Sequence, residues 1–84
     1  MMEIIIDCGG CADKKELHVR IAEALSFPDW YGNNLDALMD CLTDLDETTV
    51  TLTGREGLPF AAAGFWETFQ DAAEENPHLT VILA

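Results

Sequence analysis

Residues 27–46 read FPDWYGNNLDALMDCLTDLD, and the rest of the chain is arranged around what this stretch becomes. Asn33 or Asn34 can open a helix by accepting from backbone N–H groups two or three residues on, and Gly32 permits a sharp entry. The helix therefore starts near Leu35. Leu35, Leu38, Leu42 and Leu45 follow at spacings of three and four, which predicts one apolar stripe with Cys41 beside it. Asp36, Asp40 and Asp44 recur every four residues on the other side, roughly 6 Å apart in a helix that rises ~1.5 Å per residue. Like charges so placed destabilise a helix by roughly 0.2–0.5 kcal/mol per pair. Asp44 also stands at the end where the helix dipole disfavours an anion, and only Asp36, near the start, is locally favourable. Two readings follow: a solvated face of an acidic protein, or a ridge offered to a partner. Trp30 and Tyr31, next to Gly32, favour the ridge, because large amphipathic rings beside charge make interface anchors. The plainer alternative, that both rings are core, suits Tyr31 better than Trp30.

Eighty-four residues suit a single domain over 1–84, and a chain this short buries only ~60–65% of the surface its unfolded form exposes. Sixteen acidic residues against four basic give a formal net charge of -12. Such a charge disfavours direct binding to nucleic acid or an anionic membrane and makes a basic protein the natural partner. The few cations are unevenly spread: Lys14, Lys15 and Arg20 lie early, and Arg55 is the only later one. No apolar run reaches the ~20 residues of a membrane span, and the first ten residues lack the features of a signal peptide. Three cysteines, an odd number, do not make a complete disulfide framework, so a reducing, cytoplasmic setting is expected.

Outward from the ridge, Met2 to Asp7 holds three consecutive isoleucines, the run expected of a central strand covered on both faces. Cys8 to Cys11 makes a turn, and Asp13 with Glu16 has capping-box spacing before a helix with Leu17, Ile21, Ala24 and Leu25 inward. Pro28 stops that helix by pushing Phe27 out of helical geometry. Beyond the ridge, Thr48 to Thr53 alternates threonine with Val50 and Leu52, which suits an edge strand with one face less covered. A loop over Gly54 to Pro59 precedes a helix from Phe60 to Glu75, with Ala62, Phe65, Trp66, Phe69 and Ala72 inward. Asn76 and Pro77 end it, and Leu79 to Leu83 is the last strand. The resulting class is α/β: a three-stranded parallel sheet flanked by three to four helices and joined by right-handed crossovers.

Catalytic chemistry is poorly served. Cys8-Gly9-Gly10-Cys11 lies between a strand and a helix start, where a thioredoxin-like pair would sit, and this makes a small thiol oxidoreductase the main alternative function. A tight turn also explains the two glycines. Zinc would need Cys41 and His18 as further ligands, in no standard spacing. His18 and His78 are isolated, with no nucleophile motif, and surface or capping roles are expected of them. Carboxylates on one straight helix cannot converge on a cation as calcium requires, nor form an acid and base pair without a cleft. No metal or cofactor is called for.

The segment YGNNLDALMDCLT, residues 31–43, closely resembles the second-helix motif of the barstar family, intracellular inhibitors of the ribonuclease barnase. Similarity runs along nearly the whole chain, through the isoleucine-rich first strand, the Pro28–Gly32 loop, Phe69 to Ala72 and the terminal Thr80–Leu83 strand. The resemblance implies that Asp40 is the carboxylate that enters the ribonuclease active site in place of a substrate phosphate, with Asp36 as a second acidic contact. Trp30 stands at a family aromatic position, while Gly32, Asn34 and Thr43 match loop and helix positions of that interface and Asp71 matches an acidic contact on the last helix. Met39 and Leu45 stand where the family has tryptophans, and the segment 54–63 is shorter, which implies that one helix is reduced to a turn. Met39 and Asp44 complete the expected partner-binding set.

The physical reading and the resemblance point the same way. A ribonuclease gathers cations around the phosphate it cleaves, so an acidic ridge can fill that site and exclude RNA without any reaction. The expected protein is a non-enzymatic inhibitor of a basic ribonuclease or related toxin, of antitoxin or immunity type, and a monomer when free of its partner. A further alternative is an acidic module for a basic protein that is not a nuclease.

Overall fold

Three strands pair side by side in chain order, all parallel: β1 (Met2–Asp7), β2 (Thr48–Thr53) and β3 (Leu79–Leu83), with β2 in the middle. Parallel neighbours cannot be joined by a tight hairpin, so each connection carries helix. Helices α1 (Lys14–Leu25) and α2 (Leu35–Thr43) lie between β1 and β2, and α3 (Ala63–Glu75) between β2 and β3. This computed structural model describes residues 2–84. The class is the expected one, and the segment between β2 and α3 holds no helix.

Alternate positions of the strands tell where the helices are. Ile6, Thr48, Val50, Leu52 and Leu79 are buried in one core with Leu17 and Ile21 of α1, Leu38 and Leu42 of α2, and Phe65 and Phe69 of α3. Glu3, Ile5, Thr80 and Ile82 point the other way and are exposed. All three helices therefore cover a single face. This corrects two expectations: β1 is an edge strand with one open face, with Ile5 72% exposed, and β2 is the centre. An isoleucine run satisfies a half-covered strand as well as a fully covered one, and the threonines of β2 suit the open face of a central strand.

Local chemistry ends most elements where the sequence suggests. Asp13 accepts from the Glu16 N–H (2.8 Å), while the Glu16 carboxylate accepts from the Ala12 N–H (3.0 Å), a capping box displaced by one residue. At its other end α1 closes before Pro28 acts. Ser26 takes a left-handed turn (φ 57°), and the Phe27 N–H donates to Ala22 O at 2.9 Å, the Schellman arrangement. Helix α3 begins at Ala63 rather than Phe60, and no side chain caps it. Of its expected inward set, Trp66 is only half-buried, lying beneath the Arg55 guanidinium (5.5 Å to the ring centroid).

The ends of β1 and β2 are pressed together. Cys8 N–H donates to Thr53 O at 2.8 Å, Arg20 donates to Asp7 O and Gly9 O at 2.9 and 2.6 Å, and Gly54 has a φ of +65°. A Cβ added at Gly54 would lie 2.7 Å from the Gly9 backbone nitrogen, a contact that only backbone movement can relieve. Gly54→Ala should therefore lower unfolding stability by about 2 kcal/mol, the sum of left-handed strain and a backbone clash, read from the urea midpoint. An unchanged midpoint would show that the two turns are free to separate.

Candidate protein-binding face

The loop before α2 decides which way its aromatics face. Tyr31 is buried: its ring packs against Phe27 (5.1 Å between centroids) and its hydroxyl lies 2.6 Å from His18 Nδ1. With the Tyr31 N–H donating to Pro28 O at 3.0 Å, the chain turns so that its neighbour Trp30 is left outside, 70% exposed. A large ring held in water by a rigid support is what an anchor residue looks like before its partner arrives. Asn33 supplies the left-handed turn (φ 51°), and Asn34 is the cap, accepting from the Ala37 N–H at 2.8 Å and donating to Gly32 O at 3.3 Å. Gly32 leaves room for that amide, since a Cβ there would sit 3.0 Å from Asn34 Nδ2.

Helix α2 then turns Leu38, Cys41 and Leu42 inward and leaves Asp36 and Asp40 exposed. Asp44, also exposed, is the C-cap, so it extends the acidic line just beyond the last helical residue. Leu35 departs from the expected core stripe. It is 38% exposed and lies over the start of α3, where a Cβ on Gly64 would come within 3.0 Å of its Cδ1. Met39 and Leu45 are half-buried and pack against the core, and the Thr43 hydroxyl lies 3.0 Å from both Met39 O and Asp40 O. Asp71 is exposed on α3, which packs against α2. Among the described residues the ion pairs are Arg20–Glu16 and His78–Glu47, so no cation among them is paired with Asp36, Asp40 or Asp44. Three carboxylates and an exposed tryptophan thus face solvent on one helix and its entry loop.

A family model described as Barstar (barnase inhibitor) matches residues 1–83. The chain belongs to the barstar family. Among curated proteins it is similar to the "Putative ribonuclease inhibitor YrdF" of Bacillus subtilis (strain 168), 46% identical over 52 residues. That match covers 62% of this chain and 57% of the relative, so the aligned part spans little more than half of that protein's length. The description of that family is one of inhibitors.

Cys8 and Cys11 are both buried and free, part of the core rather than of a surface. Burial, with the neighbouring Cys11 and Asp7 adding to it, pushes the Cys8 thiol up to about 11, and burial raises Cys11 as well. A redox pair needs an accessible thiolate with a lowered pKa, so the geometry here is the reverse of activation. Among the described residues no three His, Cys, Asp or Glu side chains converge as metal ligands do, and no helix is long and apolar enough to cross a membrane.

His18 was expected at the surface or at a cap; it is instead 4% exposed, between Tyr31 and Phe65. Tertiary packing put it there, and a lone histidine in an amphipathic stripe carries no signal of its partner. Burial lowers its pKa below the usual 6.5. The unfolded chain therefore binds this proton first as the pH falls, so His18 contributes stability above pH 6.5 that is lost on descending through its folded pKa. His18→Gln should shrink the loss of stability between pH 7 and pH 5 in urea titrations. Parallel losses in both proteins would mean that His18 titrates normally.

Proposed function

We propose that this domain inhibits a basic ribonuclease by placing the exposed carboxylates of α2 in the enzyme's phosphate-binding site. Asp40 is the central contact, Asp36 and Asp44 flank it, and Trp30 is the anchor beside it. Gly32, Asn34, Met39 and Thr43 shape the surface between them, and Asp71 adds an acidic contact from α3. The observation that carries this reading is the aspartate line, without ion-pair partners among the described residues, on a helix fixed by its cap and core stripe. In this reading the domain is a cytoplasmic monomer of antitoxin or immunity type, made to hold a nuclease silent by competition.

The chemistry is one of substitution. Phosphates of RNA carry fixed negative charge at regular spacing, and Arg and Lys side chains arranged for them accept carboxylates equally well. The domain's charge of -12 adds long-range attraction to a basic enzyme, which raises the association rate and weakens with salt. Titration of candidate basic ribonucleases should show inhibition competitive with RNA, with an association rate at least about tenfold slower at 0.5 M than at 0.05 M salt. Inhibition that RNA cannot displace, or a rate indifferent to salt, would defeat this reading. Binding without loss of RNA cleavage would leave only an acidic module for some other basic protein.

A further inference from the structure

A cavity of about 640 Å³ lies between the start of α1, the loop before α2 and the start of α3. Its size falls within the range of small-molecule sites. In a chain with sixteen acidic residues, none of the residues lining it is acidic. Lys14 and Lys15, half of the chain's fixed cations, line it and pair with no carboxylate among the described residues.

His18 also lines this cavity, and among the described residues its Nε2 has no hydrogen-bond partner. The Tyr31 hydroxyl is buried, and His18 Nδ1 is the acceptor within reach, at 2.6 Å. A buried phenol keeps its proton and must donate it somewhere, so the hydroxyl donates to Nδ1 and the neutral ring carries its own hydrogen on Nε2. His18 thereby contributes a donor from a ring that is itself 4% exposed. The start of α3 reaches the same cavity through Gly64, with Ala61 in the approach to the helix, and no side chain caps its first turn. Those amides and their end of the helix dipole favour an anion. Phe65 and Leu35 supply an apolar wall, the Phe65 and His18 ring centroids being 4.5 Å apart.

We propose that this cavity binds a small aromatic phosphate monoester, with its phosphate held by Lys14, Lys15 and the His18 Nε2–H and its ring laid against Phe65 and Leu35. Donors reach the site from α1 and from the start of α3, which suits the several oxygens of a phosphate better than the two of a carboxylate. A flat ring fits the apolar wall, and inorganic phosphate alone would leave that wall unused. The cavity shares Asn34 with the proposed ribonuclease-binding surface but none of its aspartates, and binding of a small ligand to the free domain is read without any ribonuclease present.

Phenyl phosphate is the probe, with inorganic phosphate, phenol and benzoate as partial ligands, followed by NMR of the His18 imidazole and the Phe65 ring. Phenyl phosphate should shift both residues saturably and bind at least about tenfold more tightly than any of the three partial ligands. The double variant Lys14→Gln, Lys15→Gln, whose changes are on exposed positions and leave the core intact, should weaken it by at least about tenfold at unchanged thermal midpoint. The proposal is overturned if phenyl phosphate gives no saturable shift, if benzoate or phosphate binds as well, or if the double variant binds equally. It is also overturned if a bound ribonuclease protects Lys14, Lys15 and His18 while phenyl phosphate leaves them untouched, since the cavity would then be part of a protein interface.

Discussion

Asp40→Ala should weaken binding to the target ribonuclease by more than any other single change on this surface, by at least about 2 kcal/mol, or roughly thirtyfold. Barnase and barstar are themselves a source of such hot-spot magnitudes, so the size is carried over from the family and the ranking among positions is what the structure supports. Asp40 lies in the middle of the aspartate line, on a regular helical turn, with no ion-pair partner to release among the described residues. An interface centred on it would exclude water there, and a carboxylate lost from a desolvated cluster of enzyme cations leaves those cations unpaired. Asp44 should matter less, because it is the C-cap and lies at the edge of the line. Glu23→Ala, on the exposed side of α1, is the control and should change affinity by less than about 0.5 kcal/mol. Isothermal titration at fixed salt checks the series. Equal losses at Asp40 and Glu23 would reduce the effect to net charge and remove the ridge.

The aspartate line on α2 is legible in the sequence because its signals are local. A cap at Asn34, a leucine stripe and aspartates every four residues are all satisfied within one helix, and no distant residue can change their periodicity. Trp30 and Tyr31 were separable for the same reason, since one residue of offset places neighbours on opposite sides of a loop. Sheet order was not legible. Alternation in β1 and β2 tells which residues share a face, whereas the position of a strand in the sheet depends on pairing with segments more than thirty residues away. The β1 isoleucines illustrate the ambiguity: Ile6 is buried, Ile4 half-buried, and Ile5 sits in a row with Thr51 and Ile82 on the open face.

Residues whose roles lie in distant partners were missed altogether. His18 and Tyr31 are thirteen positions apart, and nothing near either predicts that one will hold the other. Their pairing nevertheless decides which aromatic faces solvent, because it holds Tyr31 in and so leaves Trp30 out. The cysteines show the opposite error. A C-G-G-C spacing suggested reactivity, and the structure uses the same thiols as small apolar filling beneath a turn.

Asn76 carries the second large effect, and it too acts through distant groups. Its side chain is buried at the end of α3, where Nδ2 donates to Leu42 O at 3.1 Å and to Leu45 O at 2.8 Å, and Oδ1 accepts from the His78 N–H at 3.0 Å. One amide therefore satisfies two carbonyls at the end of α2 and one amide at the approach to β3. Asn76→Ala removes all three bonds and leaves the buried Leu42 carbonyl and the partly buried Leu45 carbonyl without those donors, so unfolding stability should fall by about 3 kcal/mol. Asn76→Asp should cost more at neutral pH, because it has the same shape but turns a carboxylate toward two carbonyl oxygens in a buried site. Urea unfolding at pH 7 gives both values, and a loss under about 1 kcal/mol for either would show that water replaces the amide without penalty. The consequence reaches the acidic line, since the carbonyls held by Asn76 belong to the turn that carries Asp44. Under conditions where Asn76→Ala is still folded, amide exchange at Asp44 and Leu45 should accelerate while exchange at Ala37 and Leu38, next to the Asn34 cap, stays unchanged. Exchange that rises equally at both ends of α2 would mean that the helix is held by its core stripe alone.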